Sequence, residues 1–416
     1  MRLLISLSAL LVSTLFVQMG IGALRPFDAI SGQALGFTPV EIGLLASGHF
    51  AGFLLGCIFG PVLVRRAGHS RAFAVMAGMA VVSIIAHPIL PDALFWAFIR
   101  ILSGFSVAGC YTLIESWLQA KITNAIRGRV FSIYRLVDMS GQVIANAMIA
   151  MLVPASYVSY NIIAIIMCLA ILPLAVTQSK EPELPSRVSY QPLFAISVSP
   201  LAALGVVVAG LSTATFGSVG PIYAIAMGLD LSQIALFLVL SSIGGILSQM
   251  PAGILADRVP RRSVLLFFSI LATVLCVLMT FSAGDLRIAG IPQVYMLSFL
   301  FGFATFPIYS LCAAHASDFV EQDRMLTLSA SLIFLYATGA IISPLAAGII
   351  IENFGAAMMF AMIAVAHLSL MLYTVHRTFI RTATRRRSYA YIPRTSLFIA
   401  SILRNRRGAN DRSGKD

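Results

Sequence analysis

Four ionisable residues fall inside long apolar stretches: Arg100 and Glu115 in one, Arg135 and Asp138 in the next. A charge in the middle of a lipid-covered span costs about 2.5–3.5 kcal/mol on insertion scales, so such residues are kept for what they bind or hold. Here the two positive and two negative charges cancel. A carboxylate beside a guanidinium can take up a proton or a cationic group, with the cation favouring its ionised form and burial opposing it. Two pairings are open. With a rise of about 1.5 Å per residue and a core of about 30 Å, antiparallel neighbours bring Arg100 and Asp138 within several ångströms of one level. Arg135 and Asp138, at i and i+3 on one helix, are the competing pair, and Arg135 also lies close to Glu115. Asp138 is then either a proton or cation site tuned by Arg100 or Arg135, or half of a static ion pair between helices.

The elements that must hold these residues are membrane helices. Of 416 residues, 59% are hydrophobic and 11% charged, and the mean hydropathy is +0.93. Soluble domains carry about a quarter charged residues, so the apolar excess faces lipid. Runs near the roughly 20 residues a span needs fall at about 4–27, 40–64, 72–90, 93–118, 130–153 and 157–177, then 198–226, 232–256, 263–283, 290–313, 327–351 and 356–376. The first run is too long for a signal peptide and reads as a span. An all-α membrane protein of twelve helices is expected. Alternate loops and the tail hold 24 of the 28 Lys and Arg, against Arg25 and Arg287 in the opposite loops. The positive-inside rule then places both termini in the cytoplasm of a bacterial inner membrane. The net charge of +12 follows from these topology signals, and no nucleic-acid partner is expected.

The polar stretch 178–197 reads as a cytoplasmic linker between an N-terminal six-helix bundle, 1–177, and a C-terminal one, 198–376. The halves resemble each other. Ser103–Leu113 aligns with Phe301–Leu311 at an offset of 198, with Gly, Phe, Tyr and Leu coinciding, and Gly141–Asn146 with Gly339–Pro344 at the same offset. Gly36–Ile42 aligns with Gly228–Ile234 at an offset of 192. Duplicated six-helix halves are the signature of rocker-type carriers, whose site lies at the repeat interface near the midplane. The segment 377–416 is an Arg-rich cytoplasmic tail, in which Ala390–Leu403 either lies on anionic lipid or is disordered.

The loop after the eighth span reads Gly253-x-x-x-Asp257-Arg258-x-Pro-Arg261-Arg262. It resembles the loop motif of the major facilitator superfamily, with Pro260 replacing a glycine. The first-half copy keeps Arg65, Arg66, Gly68 and Arg71 in degraded form, and the fourth span carries a related Arg100-x-x-x-Gly104. Glu115-Ser116 followed by Arg127-x-Arg129 is similar to the YcaD-type bacterial branch. The resemblance covers residues 1 to about 376 and implies the superfamily fold and secondary transport of a small molecule. The antiporter motif of the fifth span is missing at Gly141–Asn146. Charged loop residues can bridge to a neighbouring helix and cap its last carbonyls, so these positions read as a cytoplasmic gate, with Glu115 standing in for the absent acid by pairing with Arg65 or Arg66. The bland reading is positive-inside charge.

Neutral polar residues in the spans supply candidates for solute binding: Gln18, His49, Tyr111, Gln142 and Asn146 in the first half, Gln249, Thr305, Tyr309 and Tyr336 in the second. Each also suits a helix–helix hydrogen bond. Gln142 and Asn146 share a helix face with Asp138, and His49 can change charge near neutral pH. Neither a metal nor a cofactor is expected, since no His, Cys, Asp or Glu spacing suits a metal and no phosphate loop indicates ATP use. A proton-coupled secondary carrier, monomeric and lipid-embedded, is the leading expectation. A transport-fold sensor or scaffold signalling through its tail is the alternative.

Overall fold

The chain leaves its first helix, α1 (Arg2–Ala34), through Gly36, whose φ of +84° glycine adopts without a side-chain clash. Thr38 and Glu41 then cap each other at the start of α2 (Pro39–Ala67): the Thr38 amide donates to Glu41 Oε2 at 2.8 Å and the Glu41 amide to Thr38 Oγ1 at 3.2 Å. The same device returns 192 residues later. There α9 (Pro200–Ala226) runs out into Gly228 (φ +75°), and Asp230 and Gln233 form a reciprocal capping box that opens α10 (Leu231–Arg258). The repeat seen between Gly36–Ile42 and Gly228–Ile234 is therefore a repeat of turn chemistry.

This computed structural model describes residues 2–121, 127–176, 191–282, 287–288, 291–321 and 324–380, with side chains outside 2–6, 61–67, 119–121, 127–129, 287–288, 291, 326 and 379–380. The first half continues with α3 (His69–Ala86), α4 (Ala93–Lys121), α5 (Arg127–Met148), α6 (Tyr157–Leu169) and α7 (Ile171–Ala175). A short α8 (Phe194–Val198) precedes α9, and α11 (Arg261–Thr280), α12 (Gln293–Thr305), α13 (Pro307–Ser317), α14 (Met325–Phe354) and α15 (Met358–Ile380) follow α10. Two short strands, β1 (Arg287–Ile288) and β2 (Ile291–Pro292), pair between α11 and α12. Among the described residues eleven segments are long and apolar enough to cross a membrane, with α6–α7 and α12–α13 counted as one each. α5 is long enough at 22 residues but carries Arg127, Arg129, Arg135 and Asp138.

Two features correct the sequence reading. α1 extends beyond the expected end near 27 to Ala34, so Arg25 lies inside a helix and not in an outer loop. The expected linker contains α8, where the Ala195 amide donates to Ser331 Oγ of α14 at 2.8 Å; the rest of the linker up to 190, and the tail from 381, lie outside the described residues.

Helix packing within each half repeats atom by atom. A Cβ on Gly52 would meet the Ile101 carbonyl at 1.9 Å, and one on Gly104 the His49 carbonyl at 1.8 Å, so α2 and α4 touch backbone to backbone. In the second half Gly244 faces the Phe299 carbonyl at 2.0 Å and Gly302 the Ser241 carbonyl at 1.9 Å, joining α10 to α12. All four mates obey the offsets of 192 or 198. Small residues give close helix approach where lipid supplies no hydrophobic drive.

The halves meet along α2 with α14, α5 with α10 and α1 with α9. They are closest at the end that carries the Gly36 and Gly228 turns. There a Cβ on Gly43 would lie 2.4 Å from the Pro344 carbonyl, and one on Gly348 would lie 2.4 Å from the Pro39 carbonyl.

Candidate functional site

Between the halves lies a cavity of about 230 Å³. Its ionisable lining is one-sided: Arg25, His49, Tyr111, Glu115, Tyr134, Arg135 and Asp138 all come from the first half, and Tyr336 alone from the second among the described residues. The asymmetry follows from the repeat. At the offsets of 192 and 198, Arg25, Glu115, Arg135 and Asp138 have Gly217, Ala313, Ile333 and Tyr336 as mates. The second half contributes Thr213, Ser241 and Ser242 and the apolar Phe216, Leu238, Ile246 and Phe306.

Asp138 is paired with Arg135, Nη1 to Oδ2 at 2.5 Å, on its own helix. This is the competing arrangement of the two, and the Arg100–Asp138 pair is not formed. Arg100 lies instead 3.4 Å from Asp28 Oδ2 through Nε, and His87 Nε2 approaches the same oxygen at 3.2 Å. Tyr160 donates to Asp28 Oδ1 at 3.2 Å. The reason is α1: its extra turns carry Asp28 to the level of Arg100, a partner hidden when the span is ended near 27. Arg100 does not line the cavity; with Asp28 it ties α1, α4, α6 and the turn after α3 together. Among the described residues Arg25, half-buried, and Asp28, buried, thus join the four charged side chains expected inside the first-half spans. Their spacing from Gln18, at i+7 and i+10 on one helical face, was the available signal.

The Asp138 carboxylate opens a hydrogen-bonded chain. Tyr111 lies 2.9 Å from Asp138 Oδ1 and also contacts Gln18 Oε1. Gln18 Nε2 donates to Gln142 Oε1 at 2.6 Å, and Arg25 Nη2 donates to the same oxygen at 2.9 Å. Gln142 Nε2 donates to Asn146 Oδ1 at 3.0 Å, and Asn146 Nδ2 donates across the interface to Ser242 Oγ at 2.9 Å and the Leu238 carbonyl at 3.1 Å. Glu115, 2% exposed, accepts from Tyr134 at 2.9 Å. His49, 3% exposed, lines the cavity with Nδ1 unpartnered.

Of the nine neutral candidates, Gln18, His49, Tyr111, Gln142, Asn146 and Tyr336 face the cavity, and Tyr336 bonds Thr213 Oγ1 at 2.7 Å. Gln249, Thr305 and Tyr309 do not. Thr305 returns its hydroxyl to Phe301 and Gln249 its amide to Gly245, each one turn back on its own helix. Tyr309 is 1% exposed and packs edge-on against Tyr336, ring centres 5.5 Å apart.

Of the loop motif, Arg261 reaches Asp318 Oδ1 at 2.8 Å and the Ala314 carbonyl, and Arg262 the Arg377 carbonyl at 3.3 Å. These bonds cap the last turn of α13 and fasten α11 to α13 and α15 within one half. Gly253, Asp257 and Arg258 lie at the end of α10, and Gly68 (φ +80°) and Arg71 at the start of α3. The side chains of Arg65 and Arg66, and so their pairing with Glu115, lie outside the described ones. No group of three or more metal-ligating side chains occurs among the described residues.

Comparison with known proteins agrees with this architecture. The profile of the Major Facilitator Superfamily matches residues 10–200 and 202–407, one match for each half. An uncharacterised transporter of this superfamily from Enterobacter sp. (strain 638) is 26% identical over 330 residues, which cover 78% of this chain and 83% of that protein. YcaD of Salmonella arizonae, also uncharacterised, is 24% identical over 335 residues with the same coverage. Among solved structures, nucleoside transporter NupG superposes with a TM-score of 0.72 at 11% identity, covering 92% of this chain and all of that one. A D-xylose–proton symporter superposes with a TM-score of 0.66 at 14% identity, covering 94% and 98%. With two six-helix halves closed around a polar cavity and both halves matched, the chain belongs to the Major Facilitator Superfamily, among transporters of the YcaD type.

Proposed function

We propose that this chain is a secondary active carrier that moves a small solute across the bacterial inner membrane by alternating access, coupled to protons at Asp138. The observation that carries the reading is the Arg135–Asp138 pair, 2.5 Å apart in the wall of the cavity between the halves. A carboxylate that can be neutralised by a proton or released by a bound solute gives the site two charge states to alternate between. With cytoplasmic termini, the closed end at Gly43 and Gly348 faces outward, so the cavity serves the inward side of the cycle. Proton coupling in a protein of the same fold, the D-xylose–proton symporter, supports the reading by analogy only.

The test is proton flux into proteoliposomes reported by an internal pH dye, across amino acids, carboxylates, sugars and lipophilic cations. A solute that drives proton movement in wild type and not in Asp138→Asn is the expected result. Equal proton movement in both would remove Asp138 from the coupling. Solute counterflow without any proton movement would leave a uniporter. Absence of any flux, with signalling lost on deletion of 381–416, would favour the sensor.

A further inference from the structure

Arg25 is a cavity cation without a carboxylate. Arg135 has Asp138, and Arg100 has Asp28. No described carboxylate lies within 4.0 Å of Arg25. Asp28, one turn along α1, is held by His87 and Arg100. Of its five N–H donors, Nη2 is given to Gln142 and Nε is buried without a partner. A guanidinium that lines a cavity with a buried, unpartnered N–H suits an anion. The same cavity is lined by Phe50, Phe53, Phe216 and Phe306. At about 30 Å³ per water, the 230 Å³ holds roughly eight waters, which suits a compact solute.

The hydrogen bonds from Arg25 to Asp138 have a direction. Arg25 only donates, so Gln142 presents its oxygen to it. That oxygen also takes the Gln18 amide, which turns the Gln18 oxygen toward Tyr111. Tyr111 has one proton and stands between two acceptors, Gln18 Oε1 and Asp138 Oδ1. With Asp138 ionised, one contact in the chain must set acceptor against acceptor, whichever way the amides are turned. One proton on Asp138 Oδ1 removes the conflict: Asp138 donates to Tyr111, Tyr111 to Gln18, Gln18 to Gln142, while Oδ2 keeps Arg135.

We infer that Arg25 binds the head group of a small aromatic or otherwise apolar monoanion, and that this anion, by offsetting the Arg25 charge, favours a proton on Asp138, which the Gln142–Gln18–Tyr111 chain accommodates. The inference rests on the carrier reading and gives it a substrate class and a direction, anion with proton. The coupling is electrostatic, since a bound anion offsets the Arg25 charge and disfavours a second negative charge nearby. The titratable groups that line the cavity with Asp138 are Arg25 of α1, His49 of α2, Tyr111 and Glu115 of α4, Tyr134 and Arg135 of α5, and Tyr336 of α14; among the described residues α9 and α10 bring none.

The test uses purified full-length protein with benzoate, benzenesulfonate, benzamide and benzylamine as probes, read by thermal shift, with proton uptake measured in weakly buffered solution. Benzoate or benzenesulfonate is expected to stabilise the protein where benzamide and benzylamine do not, and which of the two anions binds tells carboxylate from sulfonate. Binding is expected to take up about one proton per anion. Arg25→Gln should weaken anion binding about ten- to a hundredfold. If that variant gives no cooperative melt, Arg25→Lys, which keeps the charge and loses the fork, should still bind more weakly than wild type. Asp138→Asn should bind the anion without uptake. Wild-type affinity in both folded Arg25 variants, proton release on binding, or failure of both anions to bind overturns the inference. Stabilisation by benzylamine together with intact proton-coupled flux would overturn it and leave the carrier standing. Anion binding with proton uptake but no flux in proteoliposomes would instead overturn the carrier and leave the site.

Discussion

Asp138 and Tyr336 stand 198 residues apart at matching places in the two halves, and both face the central cavity. Their neighbours are mates as well. Tyr111 bonds Asp138 at 2.9 Å, while Tyr309 meets Tyr336 edge-on at 5.5 Å between ring centres. The same pair of positions makes a hydrogen bond to a carboxylate in the first half and an aromatic pair in the second. Among the described residues the charged groups of the cavity therefore sit in one half, and the other offers a neutral wall.

Asn146 joins the halves through Ser242 and the Leu238 carbonyl. Removing it in Asn146→Ala leaves the Leu238 carbonyl to its helix and takes away about 1 kcal/mol of closed-state contact. The expected outcome is a shift of roughly fivefold toward the state open at the Gly43–Pro344 end. Spin labels placed on α2 and α14 would report it as a longer distance population. An unchanged distribution would show that the glycine contacts alone hold that end.

Gly104→Ala places a methyl 1.8 Å from the His49 carbonyl, whereas Gly78→Ala meets nothing within 4 Å. Overpacking of this kind costs about 1–3 kcal/mol or more. The melting temperature in detergent should fall clearly for Gly104→Ala and for its mate Gly302→Ala, and stay level for Gly78→Ala.

Asp28 answers both Arg100 and His87 in a buried cluster. Asp28→Asn strands the Arg100 charge and is expected to cost about 3–5 kcal/mol. Adding Arg100→Gln should recover part of that loss, because no unpaired charge remains. A double variant as unstable as the sum of the singles would refute the pairing.

Arg261 joins α11 to the end of α13 through Asp318 and the Ala314 carbonyl. Arg261→Ala removes a charge-assisted hydrogen bond to a largely buried partner, worth about 1.5–3 kcal/mol. Asp318→Asn should cost less, since the Ala314 carbonyl still accepts from Arg261. Thermal melts of both variants, with the double variant to give the coupling, would check this; solute affinity at the cavity should not change.

Much of this protein was legible in its sequence. Lipid admits only backbones that satisfy themselves, so twelve apolar runs meant helices, and turn chemistry at Gly36 and Gly228 exposed the duplication. Asp138, Arg135, Gln142 and Asn146 share a face by helical period alone, and the structure keeps them together. What the sequence hid was pairing across helices. Hydropathy ended the first span near 27, yet α1 continues to Ala34, because Arg25 and Asp28 find polar partners inside the bundle. Thr305, Tyr309 and Gln249 had the right residue types and lie outside the cavity lining, since Thr305 and Gln249 return their bonds one turn back and Tyr309 packs against Tyr336.

By itself the sequence determined the helices, the membrane and the two related halves, since these depend on local periodicity and on what lipid excludes. Tertiary structure decided which guanidinium meets which carboxylate. Arg100 went to Asp28, Arg135 to Asp138, and Arg25 was left facing the cavity. Those outcomes turn on helix length and rotation to within one turn, which no pattern along a single chain specifies.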